Sequence, residues 1–385
     1  MLYQEEAQYM ETKEQKIKMD PAVQKNCRLA LPCPAGHACF FDIETTGLSP
    51  QVSSVFLIGA AWFTSDGLCL KQWFADDYIS EKEILASFSL FAENFSVFVH
   101  YNGSTFDIPY LEKKYKAHGL PSPFTKKDNL DLYRAAGKRK KWFGTANMKL
   151  TTMERFLGFE RKDCHTGKDC IQLYTEFMQK KYFRDNLAID RKNQLLLHNQ
   201  DDLYGTVLCS QLLHYTSYKP ETPYFQLRDM TAVFSDSQKG YFPVSLTTEQ
   251  DSIYYSFDVN KIEITIPLCQ ETLYHFYKDY KNYYYLPEED TAVHKSVGIY
   301  VDPAHRQKAT AANCYTKKTG LFLPLPKKFI PESIPLFKKE RRDSLSFLLL
   351  DMKQQTEHSA DSPYIQKEPA LPKDLLSGFL SCLLN

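Results

Sequence analysis

In Phe41-Asp42-Ile43-Glu44, a strand of period two sends Asp42 and Glu44 to the same face. Two carboxylates so placed repel one another and take up protons unless cations neutralise them. The neighbours Phe40, Phe41 and Ile43 predict burial, which favours a ligand role over a solvated strand end. A third acid, Asp107, stands in Tyr101-Asn102-Gly103-Ser104-Thr105-Phe106-Asp107-Ile108-Pro109-Tyr110-Leu111, where a strand ends and a helix begins. Taken alone it reads as an acid complementing the helix dipole. In Leu197-His198-Asn199-Gln200-Asp201-Asp202-Leu203-Tyr204, His198 and Asp202 are i and i+4 on a predicted helix and share a face. Asp201 points about a quarter-turn away, and one of the two adjacent acids is expected to be merely solvated.

Taken in this order and context, the three segments resemble the DEDD (RNase H-like) 3′–5′ exonuclease superfamily, and more closely its YprB-like ribonuclease-H-like branch. FDIETTGLSP at 41–50, with VFLIGAAWF after it, is the most specific part; YNGSTFDIPYL at 101–111 has the Asn-Gly-x-x-Phe-Asp form of that branch. LDLYR at 130–134, MKLTTMERFLGFER at 148–161 and LLLHNQDDLYGT at 195–206 fit in spacing and style, so the resemblance covers about residues 37–216. It implies that Asp42, Glu44, Asp107 and Asp202 are the metal carboxylates, with His198 as general base. One departure stands out: His198 precedes Asp202 by four residues, the spacing of the superfamily's Tyr-type members, whereas its His-type members use five. The choice of Asp202 over Asp201 therefore stays open. The implied cofactors are two Mg²⁺ or Mn²⁺ ions, which four carboxylates balance in charge and which hard oxygen ligands suit. Such a pair, roughly 3.5–4 Å apart, serves phosphodiester hydrolysis. Thr45 and Asn102, inside the same motifs, are expected to contact nucleic acid. So is the run Lys138-Arg139-Lys140-Lys141-Trp142, which joins phosphate attraction to a ring for base stacking, its alternative being a solvated loop.

The elements that must position these residues are legible in outline. Apolar runs predict strands over 38–43, 54–63, 69–74 and 97–100, the second and third spaced closely enough to be antiparallel neighbours. Ser80 with Glu83 reads as a capping box, and Ile84, Phe88, Phe91 and Phe95 form one helical stripe. Further helices are expected over about 105–117, 149–157, 168–181 and 190–215, and residues 1–20 read as a charged helix or frayed extension. The fold class is α/β, an RNase H-like mixed five-stranded sheet flanked by helices. After Lys219-Pro220-Glu221-Thr222-Pro223 the character changes. Ile253–Phe257 and Ile262–Ile266 alternate around a turn as a hairpin, a proline-spaced stretch covers 323–335, and helices are expected near 339–352 and 374–384. The domains read as an extension at 1–36, a nuclease domain at 37–219 and a strand-rich α+β accessory domain at 220–385.

Forty-seven basic residues balance 47 acidic ones over 385 positions, yet the charge is uneven. Residues 101–150 carry 11 Lys/Arg against 4 Asp/Glu, and 301–350 carry 10 against 4, while 1–100 carry 7 against 13. Two basic blocks fit a polyanion such as single-stranded DNA or RNA, or else two solvated surfaces. The start lacks a basic segment followed by an apolar run, and no stretch is apolar enough to span a membrane, so a cytoplasmic protein with reduced thiols is expected. Cys27, Cys33, His37 and Cys39 lack a CxxC pair and read as packing residues. The expected activity is metal-dependent phosphodiester hydrolysis from a 3′ end. The rivals are an endonuclease on the same fold and a nucleic-acid-binding protein without turnover.

Overall fold

A computed structural model of the chain describes residues 10–183, 186–217, 223–237, 241–331, 334–350 and 373–384. It divides into two compact units, Met1–Ser217 with Lys239–Ser245, and Tyr218–Gln238 with Leu246–Asn385. The predicted break at 219–223 lies almost wholly outside the described residues.

The first unit begins with strand β1 (Met10–Ile17) and helix α1 (Pro21–Ala30), capped by the Asp20 carboxylate. Strands β2 (Ala38–Thr45), β3 (Val55–Thr64) and β4 (Gly67–Ala75) follow, then α2 (Glu81–Ala92), β5 (Val97–His100), α3 (Asp107–Ala117), β6 (Asp128–Asp131) and α4 (Leu132–Gly137). Helices α5 (Leu150–Phe156), α6 (Gly167–Lys181), α7 (Asn186–Cys209) and α8 (Leu213–Thr216) complete it. One mixed sheet runs in the order β1-β4-β3-β2-β5-β6, with β2, β5 and β6 parallel and the other pairs antiparallel. Strands β2 and β3 are buried along nearly their whole length because helices cover both faces, which is why they read as apolar runs rather than alternating ones. Phe41, Phe56, Trp73, Phe88 and Tyr174 form the centre of this core.

The sheet has six strands, one more than expected, because β1 pairs with β4 from Met10↔Ala75 to Ile17↔Leu68. Its alternating Glu and Lys residues resembled a helix surface, but an edge strand exposes one side to water and tolerates them equally well. No capping box forms at α2. The Ser80 hydroxyl donates instead to Asp77 Oδ1 (2.7 Å), which also receives the amides of Ile79 and Ser80 as an Asx turn.

In the second unit, β7 (Tyr224–Arg228), β8 (Thr231–Ser237), β9 (Leu246–Gln250), β10 (Ile253–Asp258) and β11 (Lys261–Pro267) form a sheet in the order β7-β8-β11-β10-β9. The β10–β11 hairpin closes between Asp258 and Lys261, with Val259 at φ +47°, the positive φ such a two-residue turn demands. Strands β12 (Cys269–Phe276), β13 (Tyr283–Leu286) and β14 (Thr291–His294), helix α9 (Lys295–Gly298), and β15 (Gln307–Lys308), β16 (Tyr315–Leu325), β17 (Leu336–Phe337) and β18 (Ser346–Leu349) make two smaller sheets, and α10 (Lys373–Leu384) ends the description. The helix expected near 339–352 is not there. Ser346–Leu349 pairs with β16 and buries Phe347 and Leu348, and residues 351 and 352 lie outside the described residues.

Candidate metal centre

Strand β2 presents Asp42 and Glu44 together, opposite Gly59 and Leu57 of β3. Helix α7 crosses close above them. A side chain at 59 would overlap Asn199 Oδ1 and Leu203, so glycine there lets the helix approach. The approach has a chemical result: Asn199 Nδ2 donates to Asp42 Oδ2 (2.8 Å), and buried Gln72 Nε2 donates to Asn199 Oδ1 (2.9 Å), fixing which way the amide faces. One turn along α7, Asp202 brings its carboxylate to the pair. Ligand oxygens of Asp42, Glu44 and Asp202 lie within 4.8 Å of one another.

Asp107 is the first residue of α3, and the turn before it is tightly built. Gly103 N–H donates to His100 Nδ1 (2.9 Å), Asn102 N–H donates to Asp131 Oδ1 (3.0 Å), and Asn102 sits at φ +65°. A side chain at Gly103 would press on both His100 and Asp107. The Asn-Gly pair is thus a turn requirement that delivers Asp107 to the centre, where its charge is felt by Asp42 and Glu44.

Burial first, then the charges of Asp202 and Asp107, holds Asp42 well above the usual carboxylate range. Glu44, 7% exposed, is raised in the same way by burial and then by Asp42 and Asp202. Asp107 is pushed up to about 7, again chiefly by burial. These groups fit hard divalent cations: oxygen donors converge, and the protons they hold relieve a repulsion that a cation would relieve better.

His198 is 4% exposed and faces the same centre. Its Nδ1 lies 2.6 Å from Asp163 Oδ2, while Nε2 lies 3.4 Å from Glu44 Oε1 and 3.6 Å from Asp202 Oδ2. With Nδ1–H donated to Asp163, Nε2 is the nitrogen left facing Glu44 and Asp202, open to a proton or a cation. Burial raises Asp163, but hydrogen bonds from His198 and His165 outweigh it and leave the carboxyl below its usual value. Asp201 is not solvated. At 4% exposure it accepts the amides of Lys162 (3.0 Å) and Asp163 (2.9 Å), holding the segment that carries Asp163. The adjacent acids therefore divide the work: Asp202 faces the centre and Asp201 fastens the loop beneath His198.

The sequence reading missed Asp163, Asn199, Glu154 and Arg161. Arg161 grips Glu154 through Nε (2.5 Å) and Nη2 (2.7 Å) and reaches Asp202 Oδ1 with Nη1 (2.5 Å). Glu154, 1% exposed, lies against α7 where Gly205 has no side chain to exclude it. The only available signal was the clustering of charge in Glu160-Arg161-Lys162-Asp163 beside an apolar segment, which does not say where the charges point.

The expected nucleic-acid contacts separate. Asn102 and the side chains of Lys138, Lys140 and Lys141 are exposed, and Arg139 is half-buried. Thr45 is buried, its hydroxyl donating to Gly47 O (2.9 Å). Trp142 is 3% exposed with the Arg139 guanidinium 4.5 Å over its ring, so it offers no open face for a base; beside buried Phe143, its large apolar ring is removed from water.

A family model described as the RNase_H superfamily matches residues 39–213, the span that holds this centre. No curated protein matches the chain. Among solved structures, E. coli exonuclease I in complex with a dT13 oligonucleotide is 14% identical, with 47% of this chain and 41% of that one covered at a TM-score of 0.31. The family B DNA polymerase of the archaeon Pyrobaculum calidifontis is 17% identical, with 64% and 35% covered at a TM-score of 0.34. The chain therefore spans well under half of either structure's own length. The fold is an RNase H-like α/β domain followed by a strand-rich region. Among the described residues, no helix is long and apolar enough to cross a membrane.

Proposed function

We propose that the chain is a metal-dependent nuclease of the DEDD kind, nearest its YprB-like branch, acting as a 3′–5′ exonuclease on single-stranded ends. The observation that carries the reading is the convergence of Asp42, Glu44 and Asp202, with Asp107 beside them and with His198 Nε2 facing Glu44 and Asp202. Asp42, Glu44, Asp107 and Asp202 would hold two Mg²⁺ or Mn²⁺ ions, which when bound neutralise and polarise the phosphodiester. The chain's own groups do the rest. Asn199 keeps Asp42 oriented, and Asp163 holds His198 in the tautomer whose Nε2 takes a proton from the attacking water. Lys138, Lys140 and Lys141 are the exposed cations for phosphate attraction. The ten free cysteines support a cytoplasmic setting.

End-labelled DNA and RNA oligomers incubated with Mg²⁺, Mn²⁺ or EDTA test this. A ladder shortening from the 3′ end and abolished by EDTA is expected. Internal cuts would make the enzyme an endonuclease, and intact oligomers in every metal would leave a binding protein. Preference between DNA and RNA is read from the same gels, because it rests on 2′-OH contacts.

A further inference from the structure

One buried group beside the carboxylates has no part in this chemistry. Cys170, in the first turn of α6, is fully buried, and its Sγ lies within 4.8 Å of the ligand atoms of Glu44 and His198. Cys170 is in no disulfide. The three side chains come from β2, α6 and α7, so their meeting is a product of the fold rather than of neighbouring sequence.

The donor set differs from the carboxylate centre next to it. Asp42, Glu44 and Asp202 offer hard oxygens only, whereas Glu44, Cys170 and His198 offer one oxygen, one sulfur and one nitrogen. Mixed sets of that kind select zinc over magnesium, and three protein ligands leave a fourth position open. His198 also has the support that zinc-binding histidines have: Asp163 takes its Nδ1–H at 2.6 Å, fixing Nε2 as the ligand atom 3.4 Å from Glu44 Oε1. We propose that Glu44, Cys170 and His198 form a zinc site overlapping the carboxylate centre, so that zinc and the hard divalent cations exclude one another. Zinc uptake releases the Cys170 proton to solvent, occupies the sole free nitrogen of His198 and withdraws Glu44 from the other centre. Zinc binding is independent of the nuclease reading; the consequence that zinc arrests cleavage rests on it.

Cobalt(II) is the probe, because a thiolate ligand gives it a near-ultraviolet charge-transfer band. Titrating the metal-free full chain with Co²⁺ should produce that band, Zn²⁺ should abolish it, and Mn²⁺ should weaken it only at much higher concentration. Cys170→Ser and Cys170→Ala, each checked for an unchanged circular dichroism spectrum, should lose the band although nine other cysteines remain. In cleavage assays with Mn²⁺, the Zn²⁺ concentration for half-inhibition should rise at least about tenfold in both variants. No band in the wild type, or an equal band in both variants, overturns the site. A band that behaves as expected while oligomers stay intact in every metal keeps the zinc site and overturns the nuclease reading alone.

Discussion

At His198 the decisive atom is one it does not own. Asp163 accepts Nδ1–H, so Nε2 can take a proton. Asp163→Asn puts an amide that can donate to Nδ1, which favours the tautomer with the proton on Nε2 and would remove the base that the proposed function requires. His198→Ala is expected to lower turnover by roughly 10²–10⁴, and Asp163→Asn by a comparable factor. Near-normal turnover in His198→Ala would assign the proton transfer to another group. Asp42→Asn and Glu44→Gln should each abolish cleavage while the metal-free protein melts no lower than the wild type. Both carboxyls are held high by burial and mutual charge, so a neutral amide relieves repulsion. Melts with Mn²⁺ should then show a gain for the wild type and none for the variants.

The same acids set a pH dependence. Asp107 titrates at about 7 in the fold and near 4 when unfolded, so between these values the folded state binds the extra proton. Its contribution to stability is therefore present below about pH 4 and is lost as pH rises toward 7. The metal-free protein should melt lower at pH 7.5 than at pH 5, and Mn²⁺ should reverse the order because ligation needs the charged forms. An unchanged melting temperature across that range would show that burial does not raise Asp107.

Between elements, the centre depends on how closely α7 can lie on β2 and β3. Gly59→Ala would drive a methyl into Asn199 and Leu203, at a cost of about 1–3 kcal/mol, and loosen the hydrogen bond that orients Asp42. Arg161→Met would leave Glu154 buried without its cation, an expected loss of about 3–5 kcal/mol in denaturant unfolding. The double replacement Glu154→Met with Arg161→Met should recover most of that loss, since the fully buried charge is gone and only the partly exposed Asp202 is left without its cation. If it does not, the pair supports the α5–α7 packing in some way other than through charge.

At the level of the whole chain, the first unit is not one continuous stretch. Asn26 exchanges two hydrogen bonds with the backbone of Tyr241 (both 2.7 Å), and the Val244 amide donates to Tyr215 Oη (3.1 Å). A truncation at residue 219 removes those contacts, so the second unit's role is better tested by charge. In the basic block at 301–350, Lys317 is paired with Asp290 and Lys339 with Glu271, whereas Lys318, Lys327, Lys328 and Arg342 are exposed. Replacing those four by Gln should weaken oligonucleotide binding and flatten its salt dependence if they touch phosphate. An unchanged salt slope would assign the second unit to another task.

Sequence by itself determined what depends on local geometry. Strand period two put Asp42 and Glu44 on one face, the i to i+4 spacing put His198 and Asp202 on another, and Asn102-Gly103 marked the turn before Asp107. The β10–β11 hairpin was legible for the same reason. Tertiary structure alone decided what depends on residues meeting across long separations. It placed the charged segment Met10–Ile17 on the sheet edge, because a strand is chosen by its partner more than by its own side chains. It turned Trp142 inward and Asp202, rather than Asp201, toward the carboxylates. It also brought Asp163, Arg161 and Cys170 to a centre from which nothing in their own neighbourhoods pointed. Burial and mutual charge, which set the chemistry of these groups, are properties of the space between elements, and no local run of residues encodes them.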